Sequence, residues 1–207
     1  MSRTTAAAAA ALAGVLFLLY PAVRPWTDET TVDGAREAMA SGAWVAAHAF
    51  AMVGFILVPL ALLALRETIG LLPMVVMSVG AGLVLPYYGA EDFGLHAAAT
   101  EGGDLLAVAE ATRYDPVAIT MFGLGLLALA VGAILTSVRV WRTAALPRHS
   151  AILFAAGFAL FLPQFLAPAP VRVAHGVLML VGLCWLAFAM WRAQPAPARS
   201  DGMPVAA

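Results

Sequence analysis

Residues 42–65 contain no charged side chain and only one strongly polar one, His48, and no other stretch limits the fold so tightly. At 1.5 Å per residue a helix of this length matches a hydrocarbon core about 30 Å thick, which takes about 20 residues to cross. In water every face of such a helix would have to be buried. Five other stretches, 5–23, 69–90, 117–138, 151–167 and 173–191, share this character. Composition agrees, because only 11% of residues are charged and mean hydropathy is +0.91. A soluble domain of similar length carries about 25% charged residues, so this chain lacks the polar surface to coat a water-soluble globule.

The expected fold is therefore all-α, a polytopic membrane bundle of six transmembrane helices. It forms one domain over residues 1–192, followed by a Pro/Ala-rich disordered cytoplasmic tail over 193–207. The first stretch follows Arg3 and resembles a secretory leader. Its length and the poor cleavage sequence Tyr20-Pro21-Ala22-Val23 favour a retained anchor. Stretch 151–167 is the shortest and runs into Ala167-Pro168-Ala169-Pro170.

Orientation follows from arginine in the short flanks. Arg3, Arg66, Arg139, Arg142, Arg148, Arg192 and Arg199 fall on one side; Arg24, Arg36, Arg113 and Arg172 fall on the other. The richer side is expected to be cytoplasmic, with both termini inside a multi-pass protein of the cell membrane. Among the acids only Glu67 and Asp201 lie inside, which leaves the outer face acidic and favourable to cations. Two outer loops, 24–41 and 91–116, hold most of those acids, and short surface helices are expected over 33–39 and 104–112.

Every cationic side chain is Arg and none is Lys, which reads as the codon bias of a GC-rich bacterial genome. A net charge of −1 and the lack of a basic run remove any electrostatic footing for nucleic acid. Cys184 is the single cysteine, so no intrachain disulfide forms and no CxxC pair exists.

The topology gathers chemistry at the outer face. His48 lies about 9 Å down the second span, Glu91, Asp92 and His96 stand where the third emerges, and His175 lies within about one turn of the start of the sixth. His149 falls on the cytoplasmic side. Tyr88, Asp92 and His96 step by four and share a face if the third helix continues. Imidazole nitrogens and carboxylate oxygens together suit a divalent metal such as zinc. In that reading His48, Asp92, His96 and His175 are ligands. Glu91 is a catalytic general base or an outer partner, acting with a metal-activated water on an ester, amide or phosphate. Haem with His48 and His175 as axial ligands is a lesser option. The competing interpretation is structural, with each imidazole hydrogen-bonding a neighbouring helix or sitting among headgroups.

Arg172 stands three residues before His175 and is able to hold a carboxylate. Gln164 is an additional polar candidate. Tyr87, Tyr88, Trp26, Trp44 and Tyr114 read as an outer aromatic belt, with Trp141 and Trp191 at the inner interface. Pro86 and Pro163 are expected to kink their helices and open an outer cavity. Ser78 with Gly82, and Ala128 with Gly132, offer small-residue surfaces for close helix approach. Motifs such as GxSxG, a P-loop, HExxH or an HxxxH pair are absent.

Two principal functions remain. One is a metal-binding, hydrolytic protein acting on a lipid or an extracytoplasmic small molecule. The other is a non-catalytic membrane scaffold or assembly component. A transporter is less favoured, because the inner halves of the spans carry no charged relay.

Overall fold

The computed structural model describes residues 1–193; the tail assigned to 193–207 lies outside the described residues except for Ala193. The described chain is a helical bundle. Five helical stretches are long and apolar enough to cross a membrane: Arg3–Val23, Gly42–Ile69, Leu72–Glu101, Pro116–Thr143 and Ala169–Arg192. Their outward surfaces are apolar. Leu124, Leu127, Val131, Ile134 and Val138, spaced three and four apart, are exposed along one face, and Val53, Ile56 and Leu60 repeat the pattern. Such stripes are unstable in water and suited to acyl chains.

Helix α1 (Arg3–Val23) packs between α3 (Gly42–Leu62) and α10 (Ala169–Arg192). Helix α5 (Leu72–Gly89) packs on α8 (Pro116–Thr143) and, less extensively, on α3. A 3-10 turn and a short helix α4 (Arg66–Ile69) carry α3 around to α5. Phe17, Phe55, Phe158 and Phe161 form the aromatic centre, with Phe17 and Phe55 edge-to-face at 5.0 Å.

Close packing of α5 on α8 depends on glycine. A Cβ on Gly80 would stand 2.8 Å from the Gly125 carbonyl oxygen, and one on Gly132 would stand 2.6 Å from Met77 Cγ. Gly132 was expected at such a contact. Ser78 and Gly82 instead face outward, and Gly82 has open space around it. Sequence spacing finds the small residues, but the facing helix selects which of them it meets.

The segment expected as a fifth span is broken. Helix α9 covers only Ile152–Ala159, followed by a turn and a 3-10 segment, Pro163–Leu166. Pro163 has no N–H to donate to the Ala159 carbonyl, and its ring crowds that turn. An eight-residue helix rises about 12 Å, too little to cross a bilayer core.

A small cap sits over one end of the bundle. It contains α2 (Val32–Met39), α6 (Leu95–Glu101) and α7 (Leu105–Tyr114), which close over Trp44, Leu95 and Met39. The sequence signals are local. Thr31 caps α2 at the Gly34 N–H, Ser41 caps α3 at Trp44, and Asp104 caps α7 at Ala107. Asp115 then accepts from both Val117 and Ala118, with Pro116 opening α8. Both expected surface helices are present, each within two residues of its expected bounds.

Candidate functional site

Beneath the cap, where α1 ends and α10 begins, lies a cavity of about 610 Å³. Its charged groups come from distant parts of the chain: Arg24 and Glu29 after α1, Glu91 after α5, Arg113 on α7 and Arg172 on α10. Tyr20, His48, Tyr88 and Trp26 complete the polar and aromatic floor. Ile119, Phe122, Leu162, Phe165 and Leu166 make an apolar wall.

Four of the charges form one chain of ion pairs. Arg113 grips Glu91 with both arms of its fork, Nε to Oε1 at 2.6 Å and Nη2 to Oε2 at 3.1 Å. The same Nη2 donates to Glu29 Oε2 at 2.8 Å, and Arg24 Nη2 donates to Glu29 Oε1 at 2.5 Å. Burial by itself would lower the Arg113 pKa, but Glu91 and Glu29 outweigh it and raise the group above the ordinary arginine range. The Arg24 guanidinium also lies over Trp26 at 4.6 Å and Trp44 at 4.7 Å, where the ring faces stabilise its charge.

Arg172 differs from these. It donates to two backbone carbonyls, from Nε to Ala167 at 3.1 Å and from Nη2 to Phe165 at 2.5 Å, and lies 5.3 Å from the Trp26 ring centre. Among the described residues no carboxylate pairs with it. The network of two arginines and two glutamates is neutral, so Arg172 leaves the cavity with one surplus positive charge. Arg172 was expected to be able to hold a carboxylate; it instead holds the carbonyls at the end of the 3-10 segment Pro163–Leu166.

The imidazoles are similarly anchored to backbone. His48 Nδ1 donates to the Trp44 carbonyl at 2.8 Å, one turn back on its own helix, and the ring lines the cavity. His96 Nδ1 donates to the Met39 carbonyl at 2.7 Å, closing the C-terminal end of α2. His175 Nε2 donates to the Gly157 carbonyl at 2.8 Å. The Phe161 N–H, which would serve that carbonyl in a continuous helix, bonds to Phe158 instead. His175 therefore satisfies a carbonyl orphaned where α9 stops.

The carboxylates divide between two environments. Glu91 joins Tyr88 at the cavity, whereas Asp92 is fully buried away from it, with neither oxygen hydrogen-bonded. Adjacent residues on a helix project about 100° apart, and here that turn carries Asp92 away from the cavity that Glu91 lines. The expected run Tyr88, Asp92, His96 assumes an unbroken α-helix. In the structure a π turn spans Ala90–Gly94, and Trp44 Nε1 donates to the Glu91 carbonyl there at 2.9 Å. A side chain inserted into the helical ladder is a recognised cause of such an irregularity, and π turns are frequent at functional sites.

Among the described residues no group of three or more His, Cys, Asp or Glu side chains is placed to hold a metal ion. Of the four expected metal ligands and the expected general base Glu91, His48 and Glu91 line the cavity. His96, Asp92 and His175 do not. Gln164 is buried, also outside the cavity lining. Trp44 and Tyr88, expected in an interfacial belt, are buried, while Tyr114, Trp141 and Trp191 are exposed as a belt requires. Sequence reasoning missed Arg113, Glu29 and Arg24 as site residues. Their signal was a set of opposite charges in loops flanking one end, and nothing in their spacing pairs them.

Fold and cavity together define a helical, membrane-type bundle with an amphipathic pocket at one end. The chain matches no family model, no curated protein and no solved structure.

Proposed function

We propose that this chain is a six-passage protein of the cell membrane whose outer end binds an amphiphile bearing a single negative charge. Both termini are cytoplasmic in this reading. The end opposite the cavity carries Arg3, Arg66, Arg139, Arg142, Arg148 and Arg192, which supports that orientation. Helices α8 and α10 both start at the cavity end, so the chain has to return between them, and the broken segment that connects them packs on both, which supports counting it as a sixth passage.

The observation that carries the binding reading is the surplus charge on Arg172 inside a cavity that is otherwise electrically balanced. An anionic head beside Arg172 would bring the site to neutrality. Phe122, Phe165 and Leu162 offer the adjoining surface for an apolar body. Leu166 is 93% exposed at this wall, a position suited to contact with acyl chains and to entry of a ligand from the side. Arginine beside aromatic rings is weakly hydrated, well able to pair with a phosphate or carboxylate oxygen.

Equilibrium binding of dodecyl phosphate monomethyl ester and of uncharged dodecyl maltoside, to protein held in a neutral polymer, tests the reading. Wild type is expected to favour the anion by about tenfold, a factor worth about 1.4 kcal/mol. Arg172→Gln should lose that preference and Arg172→Lys should retain part of it. Equal binding of both amphiphiles by folded wild type would refute the proposal.

A further inference from the structure

The polar floor of the cavity restricts the head group more narrowly than charge alone. Tyr88 is 2% exposed, lines the cavity, and its hydroxyl has no hydrogen-bond partner. Tyr20 stands beside it with ring centres 5.7 Å apart, and the two hydroxyls lie near each other outside hydrogen-bond geometry. A buried phenol left unpaired costs about 1–3 kcal/mol, and a native fold tolerates it most readily where a ligand completes the bond.

His48 lies 6.0 Å from Tyr88 between ring centres. Because a carbonyl only accepts, the bond to Trp44 requires the proton on Nδ1. The neutral ring therefore offers Nε2 as an acceptor. Two residues of the cavity lining thus carry an unused donor, the buried Tyr88 Oη, and an acceptor, His48 Nε2. A hydroxyl is a single uncharged group that accepts from one and donates to the other.

We infer that the ligand head carries a free hydroxyl as well as its negative charge, the hydroxyl bonded between Tyr88 and His48 and the anion held by Arg172. The inference rests on the anionic-amphiphile reading and deepens it to hydroxylated monoanionic heads, of which a glycerol phosphodiester is the simplest lipid form. The same chemistry occurs in a free, water-soluble head group, so the test separates the two sources.

Native mass spectrometry of the full chain in neutral detergent would titrate dioleoyl phosphatidylglycerol against dioleoyl phosphatidylmethanol. The two share charge and tails, but only the first has head hydroxyls. Wild type is expected to bind phosphatidylglycerol about tenfold more tightly, the size expected for one unsatisfied hydrogen bond. Tyr88→Phe removes a single oxygen and should bring both lipids to the phosphatidylmethanol value, and Arg172→Gln should weaken both. Equal binding of the two lipids by wild type, with Arg172→Gln still weakening both, would overturn the hydroxyl inference and leave the anion reading standing. Lipid binding indifferent to Arg172 would overturn both. Soluble glycerophosphoglycerol binding as tightly as the lipid would uphold the hydroxylated head and overturn the amphiphile. If Tyr88→Phe does not fold, the two-lipid comparison on wild type decides alone.

Discussion

The two ends of the bundle use the same residue type in opposite ways. At the cavity end, Arg113 and Glu91 pair with side chains only 22% and 11% exposed. At the far end, Arg66 and Glu67 pair with side chains 64% and 84% exposed. Arg3, also at the far end, donates to the Ala193 carbonyl. An ion pair open to water gains little, because solvent screens it and both side chains lose freedom. A pair withdrawn from water is costly to break, because the surviving partner keeps its charge without its counter-ion. One end therefore uses arginine as an interfacial marker and the other uses it to build a site.

Substitution at Arg113 should break this contrast most severely. Arg113→Ala leaves Glu91 and Glu29 facing each other without their shared cation. It is expected to destabilise the fold by about 2–4 kcal/mol, near the range for broken buried pairs and moderated by residual exposure. Unfolding in mixed detergent would measure it, and adding Glu91→Gln should recover part of the loss. A cost no larger than that of Arg66→Ala would erase the distinction between the ends.

The next effect sharpens the comparison within the cavity end. His175→Ala strands the Gly157 carbonyl at the break after α9, and a loss of about 1–3 kcal/mol is expected. Amide exchange should rise over residues 160–166 before it rises elsewhere. Uniform exchange along the chain would show that His175 does not hold the broken segment.

The smallest effect belongs to the far end. Arg66→Ala should change stability by about 0–1 kcal/mol at low salt and by less as salt rises. A larger, salt-insensitive loss would mean that this pair is buried by something in its surroundings.

Much of the bundle was legible because lipid imposes a simple rule. Runs such as 42–65 and 117–138 are apolar on every face, and a helix is the form that satisfies their backbone without water. Caps at Ser41, Asp104 and Asp115 could likewise be read, since each acts within three residues of itself. Segment 151–167 resisted the same reading because hydropathy is blind to the missing N–H of Pro163. Glu91 and Asp92 resisted it as well. Spacing by four assumes a regular helix, and the π turn is made with Trp44, a residue 47 positions away.

The sequence alone determined that this protein is helical, that its long helices are apolar enough to cross a membrane and that most of its acidic residues fall in the segments at one end. Those properties follow from side-chain chemistry and short-range hydrogen bonding, which a linear chain already contains. Tertiary structure decided which arginine met which glutamate, that the imidazoles of His48, His96 and His175 would hold backbone carbonyls, and that Arg172 would remain without a carboxylate. Arg113 and Glu29 are 84 residues apart; charges so distant become partners only after helices have packed and water has left the space between them.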